Sequence, residues 1–221
     1  MIKLLIFDHD MTIVDSSHAI TEAINQVAAE LGKPLVERET MLKFAAVPLA
    51  EFLQGIWGEW RQEWIDLYRE KAAPLEYRIQ AFPEVPETLV LLRERGIFLA
   101  VASNRYDPKA AMDKSGTSRY FDAIVGPVDG LPHKPDPSML HSLMERFAVR
   151  EPETLYVGDS DIDIETGLAA DVRPVGVTTG NFTRGQLEKL GAWRVIDSID
   201  ELLPVVDREN AQVAHGAART V

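Results

Sequence analysis

From residue 97 to residue 206, short apolar runs alternate with stretches of helical character. That alternation confines the chain to an α/β fold with a parallel sheet, because parallel neighbours need long crossover connections and helices supply them. Ile97-Phe98-Leu99-Ala100-Val101-Ala102, Ala123 to Gly126, Thr154 to Val157, Val172 to Val177 and Arg194 to Ile196 read as strands. Asp107-Pro108 opens a helix with proline at its first position, and Asp136-Pro137 opens another that runs to about Phe147. Residues 162–170, 183–190 and 198–206 read as three more helices. At the N-terminus, the apolar run Lys3-Leu4-Leu5-Ile6-Phe7 predicts a further buried strand.

Between that first strand and the alternating region the pattern is helical. Ile20, Ala23, Ile24, Val27, Ala28 and Leu31 fall at helical spacing over residues 17–31, and Gly32 and Pro34 stop the run. Residues 37–45, 48–57 and 59–72 continue as helices with no strand among them. Leu89, Leu91 and Leu92 ride a helix that ends at Gly96. The expected architecture is a Rossmann-like three-layer α/β core with a parallel sheet, residues 1–14 and 80–206, and an all-helical cap domain, residues 15–79, inserted after the first strand. Residues 207–221 are polar and Ala-rich without periodicity and read as a disordered tail.

The 221 residues carry a net charge of -12, which argues against nucleic-acid binding, since neutralising phosphates takes clustered Lys and Arg. The absence of cysteine excludes disulfides and Cys-based zinc sites. No apolar stretch has transmembrane length, and Lys3 is followed by a short strand and then acids rather than a signal peptide. A soluble cytoplasmic protein with no membrane partner is expected, as monomer or homodimer.

Chemistry concentrates at the predicted strand ends, where open α/β sheets bind their ligands. The first offers Asp8, Asp10 and Thr12; the second Ser103, Asn104 and Arg105; the loop after Gly126 offers Lys134, flanked by prolines; the fourth offers Asp159, Asp161 and Asp163. Phosphoryl transfer needs a nucleophile, a cation and donors for the phosphate oxygens. Asp8 and Asp159 can supply the carboxylate pair that magnesium takes, with Asp163 holding a metal-bound water. Ser103 and Lys134 supply a hydroxyl and a fixed charge for the phosphate, and Lys134 keeps the nucleophile ionised. Thr12 is a phosphate-contacting hydroxyl, and Asp10 is left as general acid and then base. The acids from Asp159 do not make a calcium loop, because its sixth position is Ile164 and its twelfth Ala170.

Four segments, in order, resemble the motifs of the haloacid dehalogenase-like hydrolase superfamily: Phe7-Asp8-His9-Asp10-Met11-Thr12-Ile13-Val14-Asp15-Ser16, then Ala102-Ser103-Asn104, then Lys134-Pro135-Asp136-Pro137, then Val157-Gly158-Asp159-Ser160-Asp161-Ile162-Asp163. The resemblance reaches to about residue 206. The helical insertion, together with Val175 to Gly180 and Val195 to Ser198, is similar to the phosphoglycolate phosphatase-like group. It implies an aspartyl-phosphate on Asp8, acid/base work by Asp10, and phosphate contact by Ser103, Asn104 and Lys134. It also implies Mg²⁺ bound by the Asp8 carboxylate, the Asp10 backbone carbonyl and the Asp159 carboxylate, with a cap that closes over the substrate. The expected activity is hydrolysis of a small phosphorylated metabolite, with phosphoglycolate the leading candidate. A β-phosphoglucomutase-like sugar phosphomutase and a non-catalytic phospho-ligand or partner-binding protein are the alternatives.

Three positions depart from that pattern. Met11 stands where Gly is usual, in a turn whose geometry suits Gly. His9 replaces a large apolar residue and is expected to pack as a neutral ring. Ala45-Ala46 replace the usual Gly ahead of Val47-Pro48-Leu49. Trp57, Trp60 and Trp64 are expected to pack within the cap. Arg105 and Lys43 could reach a substrate acid group, but surface ion pairs are the expected use of either.

Overall fold

The structure, a computed structural model, describes residues 1–43 and 47–217, with side chains through Val213. The main sheet comprises β1 (Leu4–Phe7), β4 (Phe98–Ala102), β5 (Ala123–Val125), β6 (Thr154–Gly158), β7 (Arg173–Val177) and β8 (Arg194–Ile196). They form one parallel sheet in the order β5-β4-β1-β6-β7-β8. The chain builds outward from β1 through β4 to β5, then returns to β6 on the other side of β1. The topological switch point therefore lies around β1, with β4 and β6 as its neighbours, and that is where such sheets bind ligands.

All four residues of β1 are fully buried, and they divide by parity. Leu5 and Phe7 join Leu99, Val101, Leu155 and Val157 on one face, packed with Leu89 and Leu92 of α5 (Val85–Glu94) and Leu202 and Val206 of α10 (Leu202–Ala217). Leu4 and Ile6 join Ala100 and Tyr156 on the other face, packed with Met139, Leu140 and Leu143 of α7 (Ser138–Phe147). Each such burial contributes ~1.5–3 kcal/mol, so a central strand that is apolar on both faces fixes the three layers.

A two-stranded antiparallel ribbon, β2 (Val14–Asp15) with β3 (Gln80–Ala81), bounds a helical segment between β1 and α5. Between these strands lie α1 (Ser17–Leu31), α2 (Arg38–Leu42), α3 (Leu49–Trp57) and α4 (Gln62–Ala72). They share their own apolar cluster of Ile24, Met41, Phe52, Leu53, Trp64 and Ile65. Trp57 packs edge-on against Trp64 at 5.8 Å and donates to the Pro34 carbonyl, so these two rings serve helix packing, while Trp60 is exposed. Lys43 is exposed, and the Ala45-Ala46 departure lies outside the described residues.

The remaining helices are α6 (Pro108–Ser115), α8 (Asp161–Ala169) and α9 (Arg184–Lys189). Asp107 caps α6 by accepting from the Ala110 backbone N–H at 2.9 Å. The C-terminus differs from expectation: α10 continues to Ala217, through most of the segment read as a disordered tail. Arg95 pairs with Asp207, Arg173 with Glu209, and the Ile2 backbone N–H donates to Asn210. Residues 218–221 lie outside the described residues. No helix among the described residues is long and apolar enough to cross a membrane.

Candidate active site

The carboxyl ends of β4, β1 and β6 bring Ser103, Asp8 and Asp159 side by side at the switch point, and the loop after β5 adds Lys134. All four line one cavity of about 480 Å³ whose opposite wall is helical and largely apolar, with Ile20, Met41, Leu49, Phe52 and Ile65. The polar floor is buried: Asp8 and Asp159 are 7% exposed, Lys134 4% and Ser103 1%.

Lys134 is the hub. Its Nζ donates to Asp8 Oδ1 at 2.6 Å, to Asp163 Oδ1 at 2.7 Å and to the Tyr156 hydroxyl at 3.0 Å. Burial works against its charge, but Asp163 and Asp8 outweigh that and hold the ammonium well above the ordinary lysine value. Asn104 fixes the loop that presents it: the Lys134 backbone N–H donates to Asn104 Oδ1 at 2.7 Å, and Asn104 Nδ2 donates to the Lys134 carbonyl at 3.3 Å.

Asp163 is tied down from both sides. Its Oδ2 accepts from the Ser160 backbone N–H and hydroxyl at 3.2 and 2.6 Å, a capping box at the start of α8, and its Oδ1 accepts from Lys134 and Tyr156. Burial alone would raise its pKa, yet the Lys134 charge and these donors bring it below the ordinary carboxylate value. Asp8 and Asp159 go the other way. Burial pushes Asp8 up to about 7, with Lys134 opposing and Asp163 and Asp10 adding. Burial and then the charges of Asp163 and Asp8 hold Asp159 well above the carboxylate range. Its hydrogen-bond partner is the Thr12 hydroxyl, at 3.1 Å.

Asp8, Asp159 and Asp163 each offer an oxygen within 4.8 Å of the others. When ionised, these three buried carboxylates outnumber the one lysine, and a divalent cation would offset the excess charge, so the oxygen-rich donor set fits a hard ion. Thr12 is fully buried and turned to Asp159, off the cavity wall, rather than toward a phosphate.

Asp10 sits on the cavity wall in an ion pair. Arg105 Nε donates to its Oδ2 at 2.7 Å and Arg105 Nη2 to its Oδ1 at 2.8 Å. Against the effect of burial, the Arg105 guanidinium holds the Asp10 carboxyl well below its ordinary value. This pair is not at the surface, as expected for Arg105, but in the site itself. His9 is 1% exposed, neither ring nitrogen has a hydrogen-bond partner, and Nδ1 lies 3.7 Å from Asp10 Oδ1.

Met11 takes the left-handed backbone that the motif's glycine would favour, φ 60°. That conformation costs a residue with a Cβ ~1–2 kcal/mol. Burial of its side chain, 3% exposed, returns a similar amount, ~1.5–3 kcal/mol. The Thr179 hydroxyl donates to the Met11 carbonyl and holds the turn.

Two participants escape sequence reasoning. Tyr156 is a strand-interior tyrosine whose hydroxyl bridges Lys134 and Asp163, and only the buried polar tip at a strand near the site could have pointed to it. Gly180 lies so close to Asp159 that a Cβ there would fall 1.8 Å from its Oδ2.

Comparison with known proteins agrees with this geometry. A family model described as haloacid dehalogenase-like hydrolase matches residues 5–177. Phosphoglycolate phosphatase 1 of Pseudomonas aeruginosa is 30% identical over 219 residues, spanning 93% of this chain and 80% of its own length. The phosphoglycolate phosphatase of Aquifex aeolicus is 30% identical over 176 residues, spanning 77% and 82%. A solved structure from Bacteroides fragilis, described as a haloacid dehalogenase-like hydrolase, superimposes with a TM-score of 0.82 at 26% identity, covering 91% of this chain and 100% of that one.

Proposed function

The chain belongs to the haloacid dehalogenase-like hydrolase family, as a phosphatase, and we propose that it hydrolyses small phosphomonoesters through an aspartyl-phosphate on Asp8, with Mg²⁺ as cofactor. Phosphoglycolate is the leading substrate by its relatives' names. The observation that carries the reading is the buried Asp8 on the cavity floor, one oxygen on Lys134 and the Asp159 and Asp163 carboxylates beside it.

Asp8 attacks phosphorus with the oxygen that Lys134 does not hold. The bond from phosphorus to the ester oxygen breaks, and that oxygen takes a proton from Asp10, which must first pick one up from solvent because the Arg105 pair holds it ionised. Asp10, now a carboxylate, removes a proton from a water that attacks the same phosphorus, which frees Asp8 and inorganic phosphate. Ser103 and Lys134 donate to the phosphoryl oxygens, with Asn104 holding the Lys134 loop in place. The Asp8, Asp159 and Asp163 carboxylates and the Asp10 carbonyl would hold the cation, which would neutralise phosphoryl charge. We read the helices from α1 to α4 as the cap, whose apolar wall excludes water.

A phosphate-release assay over small phosphomonoesters tests this. Mg²⁺-dependent turnover is expected, with loss of at least about 1000-fold in Asp8→Asn, as for removal of a nucleophile. Release that survives Asp8→Asn rejects the nucleophile. Isomerisation of a sugar phosphate with little release would move the chain to the mutases.

A further inference from the structure

We propose that Arg105 is the specificity-determining residue of this site, recognising a carboxylate on the leaving group of the substrate and, by exchanging partners, releasing Asp10 for proton transfer. The inference rests on the hydrolytic reading above and deepens it by naming the substrate class.

Both Asp10 oxygens are occupied by the guanidinium fork, at 2.7 and 2.8 Å. A carboxylate held this way keeps one further lone pair on each oxygen, but the two fork bonds fix its orientation, so it cannot turn to aim an oxygen at an ester or a water. For Asp10 to serve the ester oxygen, the fork must lose at least one of its bonds. Arg105 has a side chain 18% exposed, and a guanidinium that gives up its partner inside a cavity is strongly disfavoured. Another anion must take the fork.

Glu76 is poorly placed to do so. Its Oε1 lies 3.4 Å from Arg105 Nη1, away from the Nε and Nη2 edge, and its Oε2 is committed to Lys114 at 2.6 Å. What remains is the substrate, because Arg105, Asp10 and Asp8 line the same cavity. The slot on Arg105 already holds a carboxylate in two-point geometry, so a substrate carboxylate fits it atom for atom. A phosphate there would bring a second negative charge beside Glu76. A neutral ester, with nothing to offer the fork, leaves Asp10 clamped.

The test compares kcat and KM for three esters in Mg²⁺: phosphoglycolate, ethyl phosphate and ethylene glycol bisphosphate. Wild type is expected to prefer phosphoglycolate over ethyl phosphate in kcat/KM by about 10- to 100-fold, the range of a lost charge-assisted hydrogen bond. Arg105→Gln is expected to move the two in opposite directions, lowering phosphoglycolate turnover, mainly through KM, and raising ethyl phosphate turnover through kcat as Asp10 is freed. Arg105→Lys keeps part of the preference. A purely structural arginine would lower both esters in parallel, and that result overturns the proposal, as does wild-type turnover of ethyl phosphate equal to that of phosphoglycolate. Bisphosphate turnover at or above phosphoglycolate's overturns the carboxylate assignment. Loss of all release in Asp8→Asn, run alongside, keeps the hydrolytic reading standing whichever way the Arg105 arms fall.

Discussion

At Gly180 a single methyl group would disturb the carboxylate cluster. Its Cβ would sit 1.8 Å from Asp159 Oδ2 and 2.6 Å from Cγ, so either the carboxylate or the loop after β7 must shift. Gly180→Ala is therefore expected to weaken Mg²⁺ binding by about 10- to 100-fold, the range for disturbing the shell around a metal ligand. Gly185→Ala, where nothing lies within 4 Å, is the control. A Mg²⁺ titration of activity that is the same in Gly180→Ala and wild type would remove Gly180 from the site. The polar residues that follow strand ends were legible in the sequence: Asp8, Asp10, Ser103, Asn104, Lys134, Asp159 and Asp163 gather at one edge. What was not legible depends on through-space partners. Thr12 turns to Asp159, Arg105 closes on Asp10, and Tyr156 reaches Lys134, and no local pattern along the chain encodes those pairings.

At the scale of elements, periodicity found the long helices and the buried strands and missed what has no period. A two-residue strand such as β2 or β3 is too short to alternate, yet this pair marks where the helical segment leaves and rejoins the sheet. The last two turns and more of α10 were missed for a different reason. Their ties are charged and polar, Asp207 to Arg95, Glu209 to Arg173 and Asn210 to the Ile2 N–H, so they show no apolar stripe. Pairs with partly exposed members contribute up to ~1 kcal/mol each. Truncation after Val206 is expected to lower the melting temperature by a few degrees, since ~1 kcal/mol moves a chain of this size by about 2–4 °C. KM and kcat should be unchanged, because none of these residues lines the cavity. A kinetic defect in the truncated chain would mean that α10 reaches the site in some way the sheet transmits.

For the whole molecule, the carboxylate cluster links folding to pH and to the cation. Asp8, raised to about 7, and Asp159, also raised, keep protons in the folded chain that the unfolded chain releases near ~3.9. From pH 4 to about 7 the folded state thus binds more protons, and stability from these two groups falls as pH rises. Asp10 and Asp163 are depressed, so their contribution is complete above pH 4 and is lost only in acid; Lys134, raised, keeps its contribution through this window. Mg²⁺ binds the ionised carboxylates and so should restore what the metal-free chain loses. At about 100 times its dissociation constant a ligand adds ~2.7 kcal/mol, or about 5–11 °C here. The expected result is a Mg²⁺-induced rise in melting temperature that is small at pH 5 and grows toward that range by pH 7.5, and that is abolished in Asp159→Asn. An increment equal at both pH values, or one that persists in Asp159→Asn, would place the cation away from these carboxylates.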